Sequence, residues 1–166
     1  MTLAEAAAQA DGLAQQGAER DLAQLRAQWA DDVEMAARSG DYRERAVAYR
    51  AIGQFRFRQK LELLRRGLED ESPACRGSAL ISLELLSRDH PGDVNAVRPL
   101  LHAMLSSAEE NAAVRRLAIM CLKNASPERA TIVLLTGLAH DDEQDRELRA
   151  TAKRVADLLT KKSRTR

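Results

Sequence analysis

An all-α protein assembled from repeated helix pairs is the fold class this sequence predicts, and three observations predict it. First, an Arg followed three residues later by Ala occurs at Arg45/Ala48, Arg76/Ala79, Arg115/Ala118 and Arg149/Ala152. These arginines are spaced by 31, 39 and 34 residues, the period of stacked helical repeats rather than of one undivided core. Second, Ala, Leu, Arg and Glu are abundant while aromatics make up only 3% of the chain, a balance that favours helix almost everywhere. Third, apolar residues recur at helical spacing between Pro, Gly and Asp punctuation, and no segment alternates as a strand would. A chain of about four such helix pairs forms an α-solenoid, which presents a surface that holds something more often than a pocket that does chemistry.

Composition bounds the function. With 166 residues, 45% of them apolar and 31% charged, the chain is one domain of ordinary size with enough apolar matter for a core. A formal net charge of +1 gives no whole-molecule attraction to nucleic acid or anionic lipid. Arginine supplies most of the basic residues, which suits carboxylate or phosphate pairing or follows equally from coding composition alone. Cys75 and Cys121 stand alone at apolar helical positions, as small buried hydrophobes rather than a disulfide or zinc set. The opening MTLAEAAAQADG lacks the basic start and apolar stretch of a signal peptide. No apolar run approaches the ~20 residues of a membrane span, so a cytoplasmic protein without membrane contact is expected.

The elements follow in order. Residues 1–19, rich in Ala and Gln and interrupted by Gly12 and Gly17, form a short helix or a loose extension. A longer helix over about 20–38 carries Leu22, Leu25, Trp29 and Val33 and caps the first repeat. Tyr42 to Phe55 is helical, with Val47, Ala48, Ala51, Ile52 and Phe55 on one face, and a second helix over about 58–69 presents Leu61, Leu64 and Leu68. Ser72-Pro73 opens the next by the cap-and-proline device. Asp93 caps one continuous helix through Val97 to Leu105, with Pro99 inside it. Asn111 starts the helix of Val114, Ala118 and Leu122, and Ser126-Pro127 repeats the cap-and-proline device. An acidic turn from Asp141 to Asp145 leads into the last helix, of Leu148, Ala152, Val155 and Leu159. The domain thus spans 20–160, and 161–166 is a basic, frayed tail.

Each Arg-x-x-Ala helix after the first follows a helix ending in Leu-x-x-x-Leu (Leu64/Leu68, Leu101/Leu105, Leu134/Leu138), and an acidic residue stands six before the Arg at Asp70, Glu109 and Glu143. This pattern resembles the HEAT repeat, with its leucine-rich first helix, acidic turn and Val-Arg-x-x-Ala second helix. The resemblance covers about residues 20–160, most securely 58–160. The first repeat departs from it, with Glu44 before its Arg and Ser39 six back. The resemblance implies a right-handed α-solenoid and makes Pro99 the bend often found in HEAT first helices. It also implies a structural ladder in which Asp70, Glu109 and Glu143 partner Arg76, Arg115 and Arg149.

No catalytic constellation accompanies the pattern. His90, His102 and His140 lack ligand spacing and read as solvent-facing, and no phosphate-binding glycine loop occurs. No cofactor and no enzyme activity are therefore expected. Taking the motif Ala as zero on the helical wheel, the opposite face of the second helices carries Arg50, Ile81, Arg116, Met120, Lys123 and Arg154. In HEAT solenoids second helices line the concave surface, so this stripe, apolar at Ile81 and Met120 and basic around them, suits an acidic amphipathic partner; packing of Ile81 and Met120 against adjacent repeats is the alternative. A second patch, Phe55, Arg56, Phe57 and Arg58, alternates rings and cations that would stack on nucleobases, or else the rings are buried. The leading expectation is a protein-binding scaffold. The alternatives are nucleic-acid binding, since some HEAT-like proteins are DNA glycosylases, and a chaperone-like accessory of the phycobilin-lyase kind.

Overall fold

Two structurally equivalent helix ends, one closed by glycine and the other by arginine, fix the start of the chain. In the computed structural model, which describes residues 1–165, α1 (Leu3–Gln15) begins at a capping box between Thr2 and Glu5. It ends with Gly17 in the left-handed region at φ 71°. The Ala18 N–H returns to Leu13 O and the Gly17 N–H to Ala14 O, the paired closure that a left-handed residue makes possible. Far from loose, α1 buries Ala6, Ala7 and Ala10 completely.

The chain divides into two compact units, 1–86 and 87–166. In the first, α2 (Glu19–Ala37) and α3 (Tyr42–Gln54) pack on α1 and on each other. A 3-10 turn, Arg58–Lys60, leads into α4 (Leu61–Leu68), which packs on α3. The unit closes with α5 (Pro73–Ser87). Small residues let these helices approach. A Cβ on Gly53 would meet the Ser82 backbone at 2.8 Å, and one on Gly67 would meet the Ala79 Cβ at 2.9 Å. Ser82, itself buried on α5, receives the Gly53 N–H at 2.9 Å and donates its hydroxyl toward the Tyr49 carbonyl. Leu22, Ile52, Phe55, Leu64 and Leu80 fill the core around these contacts.

The second unit holds α6 (Pro91–Asn95), α7 (Arg98–Ser106), α8 (Ala112–Leu122), α9 (Arg129–Ala139) and α10 (Arg146–Arg164). Here α7 packs on α8, and α10 packs on both α8 and α9. Leu101, Leu105, Ile119, Leu122, Leu135 and Leu148 form its core. Among the described residues there is no strand.

Three expected boundaries are corrected. The helix expected from Asp93 to Leu105 is two: Asp93 lies inside α6, and Pro99 stands in the first turn of α7. Pro99 therefore breaks no internal hydrogen bond, because first-turn N–H groups have no intrahelical acceptor. Ser126-Pro127 does not cap α9, whose N-cap is Glu128; Ser126 is held by Asn95 instead, its N–H donating to Oδ1 at 3.0 Å. The expected tail is helical through Arg164, with the Lys162 ammonium on the Lys123 carbonyl at 2.8 Å. Arg166 lies outside the described residues.

The end of α3 repeats the closure of α1 with an arginine. Arg56 sits at φ 59°, the Phe57 N–H returns to Ile52 O and the Arg56 N–H to Gly53 O. Its guanidinium folds back onto the Gly53 and Gln54 carbonyls and onto Asp11 Oδ1 at 2.8 Å. The side chain thus offsets a left-handed backbone that costs non-glycine residues about 1–2 kcal/mol. Arg56→Ala keeps that cost and loses the bonds, whereas Arg56→Gly loses the bonds and removes the cost. Thermal or urea unfolding is expected to rank wild type first, then Arg56→Gly, with Arg56→Ala about 1 kcal/mol below the glycine variant.

Candidate protein-docking surfaces

The ladder arginines are where helical phase puts them, but their partners differ from those the sequence implied. In the first unit Asp70 binds Arg45 through both carboxylate oxygens, at 2.8 and 3.0 Å. Arg76, expected on that carboxylate, takes the Asp70 carbonyl at 2.7 Å. Burial pushes the Asp70 pKa up, but hydrogen bonds from Arg45 and from the Ser72 N–H outweigh it and hold the carboxyl below its ordinary value. In the second unit Arg115 bonds Gln144 Oε1 and the Leu105 carbonyl, each at 2.8 Å, while Glu109 is exposed on the turn before it. Gln144 in turn holds Asp141 at 3.1 Å. Arg149 approaches Asp142 at 3.5 Å rather than Glu143. The reason is reach. Arg45 and Arg115 reach across to the turn of the following repeat, 25 and 29 residues on, whereas Arg76 and Arg149 also meet the turn before their own helix.

The expected binding stripe is divided between the units. In the first, Arg50 is half-buried and Ile81 is exposed on α5. In the second, Met120 and Lys123 are half-buried and Arg154 is exposed. Arg116 is occupied by Asp145 and Glu147 at 3.4 and 3.6 Å, where α10 begins.

Of the two readings of the aromatic patch, the buried one describes both rings. Phe55 and Phe57 are buried and stack on each other with centroids 5.0 Å apart. Neither ring is available to a nucleobase, and Arg56 is the helix closure described above. Arg58 is exposed in the 3-10 turn. Both cysteines are buried and neither forms a disulfide. Among the described residues no group of His, Cys, Asp and Glu is arranged to hold a metal, and no helix is long and apolar enough to cross a membrane.

Sequence reading missed two features. One is a polar cluster in the second unit. Arg98, 8% exposed, bonds Thr131 Oγ1, Asn95 Oδ1 and the Ser126 carbonyl at 2.8–2.9 Å and pairs with Glu128 at 3.1 Å. His102, expected in solvent, lies on the Thr131 hydroxyl at 2.9 Å. The signal was present in the sequence as Arg98 and His102 four residues apart on one helix face.

The other is an apolar groove in the first unit. Leu3 and Ala4 of α1, Trp29, Met35 and Ala36 of α2 and Val47 of α3 line a cleft of about 590 Å³. A smaller cleft of about 360 Å³ shares Ala4 and Val47 with it and continues along α3 past Arg50 to Gln54. Met35, on the rim, is 74% exposed. Trp29, expected to cap the core, forms part of the groove wall, and its indole N–H has no acceptor.

Against known families, residues 33–102 match the family model of HEAT repeats. That span includes the first repeat, whose motif departs from the pattern. No curated protein and no solved structure matches the chain.

Two predictions follow from these contacts. Arg115 is 7% exposed, so Arg115→Ala is expected to lower stability in urea melts by about 2–4 kcal/mol. Arg116→Ala removes only a half-exposed pair and is expected to cost no more than about 1 kcal/mol. Equal losses would refute the assigned helix phase. Burial, with Arg98 nearby, lowers the His102 pKa, and Glu128 only partly opposes this. Its folded pKa lying below the unfolded value of about 6.5, the site is at full strength above pH 6.5 and loses stability as pH falls through that value toward the folded pKa. His102→Gln is expected to flatten this part of the stability–pH curve.

Proposed function

We propose that this chain, a HEAT-repeat protein over residues 33–102, is a non-enzymatic adaptor that holds another protein, and that it works in the cytoplasm. HEAT repeats commonly mediate protein interactions. The observation that carries the reading is the groove of the first unit. Among the described residues Met35 and Val47 are exposed and Trp29 half-buried in one apolar surface, and such surfaces gain free energy when a partner removes them from water. Buried cysteines that form no disulfide suit a reducing compartment.

A tagged chain is expected to retain a reproducible protein from a lysate of its own cells. Val47→Asp, at a partly exposed helix position, should lower that retention at least tenfold while circular dichroism stays unchanged. Retention of nothing by the wild-type chain would overturn the adaptor reading. Loss through Ile81→Glu or Met120→Glu, with Val47→Asp silent, would move the contact to α5 or α8 and leave the adaptor reading standing.

A further inference from the structure

Resting on the adaptor reading, we propose that the groove of the first unit takes one kind of partner: an amphipathic α-helix with an apolar face and a carboxylate directed at Arg50. Shape supplies the first part of the argument. The two joined clefts run along α3 past Arg43, Val47, Arg50 and Gln54, positions that share one helix face. Eleven residues of helix span roughly 17 Å at 1.5 Å per residue, so the groove accommodates about three turns of a partner. Its walls are helices, whose interior backbone groups already bond within themselves. An extended segment laid between them would find no backbone ladder there and would have to give up water on its groove-facing N–H and C=O groups without a replacement. A helix brings those bonds with it and presents anchors at i, i+4 and i+7.

Charge supplies the second part. Among the described residues Arg50 has no ion pair, and its Nη1 has no hydrogen-bond acceptor. The Trp29 indole N–H, in the wall of the larger cleft, also lacks one. The buried indole N–H offers a partner nothing, whereas the half-buried Arg50 guanidinium is an unpaired cation lining the smaller cleft, so the complementary occupant carries a carboxylate there. The groove's own acids, Asp32 and Glu44, line only the larger cleft, and Arg50 lines only the smaller. The partner's carboxylate therefore belongs at the Arg50 end and its apolar residues against Trp29, Met35 and Val47, which sets the direction in which the helix lies.

Trp29 is the only tryptophan of the chain and reports on the groove directly. The probes are two synthetic tryptophan-free helical peptides with the same leucine face, one with Glu and one with Lys at the polar positions, titrated against the full chain. The Glu peptide is expected to change Trp29 emission saturably and to bind at least about tenfold more tightly than the Lys peptide, as a charge-assisted bond to arginine allows. Arg50→Gln should reduce that preference to within about twofold, and Val47→Asp should remove binding of both peptides. Equal binding of the two peptides, or a preference that survives Arg50→Gln, overturns the carboxylate assignment. No saturable response to either peptide overturns the helix as occupant. So does a concentration-dependent dimer abolished by Val47→Asp, because the groove would then be filled by a second copy. A lysate protein still retained by Val47→Asp would sink the groove while sparing the adaptor reading, so the two failures are distinct.

Discussion

Asp70 meets three demands at one turn of the first unit. Its carboxylate receives the Arg45 guanidinium and the Ser72 N–H, and its carbonyl receives Arg76. The turn must therefore hold one conformation to satisfy the N–H at the start of α5, the Arg45 side chain of α3 and the Arg76 side chain of α5. Charge-assisted bonds tie α3 and α5 to this turn, while Gly53 and Gly67, near the C-terminal ends of α3 and α4, let those helices approach α5 closely. A repeat architecture needs such a junction because no repeat can close its own apolar face. Arg45, Arg76 and Arg115 are thus part of the packing.

The second unit meets the same requirement with other chemistry. Arg115 reaches the neutral Gln144, which passes the contact to Asp141, so no carboxylate has to be desolvated beside the buried guanidinium. The larger investment of polar groups lies at Arg98, where four acceptors from α6, α9 and the segment before α9 converge on one side chain. That cluster explains why Ser126 is not a cap. Its N–H and carbonyl serve Asn95 and Arg98, and α9 starts two residues after Pro127.

Helix identity, order and phase were legible because each depends on spacing along one segment. Arg115 falls inward and Arg116 outward as the wheel requires, and Cys75, Ala79, Ala118 and Cys121 are buried. The partners were not legible. Six residues separate Asp70 from Arg76 in sequence, yet the stronger claim on that carboxylate comes from Arg45. Such a choice depends on how far a guanidinium reaches across packed helices, which local spacing does not encode. Trp29 shows the same limit. Its place in an apolar stripe suggested a core residue, but α1 covers only part of α2 and leaves the ring as a groove wall. Alternation of Phe and Arg likewise described a turn that buries both rings and points one arginine back at its own helix.

The Ser82 hydroxyl also lies near the Arg50 carbonyl, at 3.0 Å, beside its bonds to Gly53 and Tyr49. Backbone groups of Tyr49, Arg50 and Gly53, little more than one turn of α3, are thereby fastened sideways to α5, at a point where Gly53 leaves no room for slippage. The helix can neither slide nor roll about its axis without surrendering these bonds. The row from Arg43 to Gln54 consequently keeps a fixed azimuth, and whatever lies against it meets a rigid template. A partner of the kind proposed would then be selected by fit to a surface already set, with little ordering entropy charged to the protein side of the encounter.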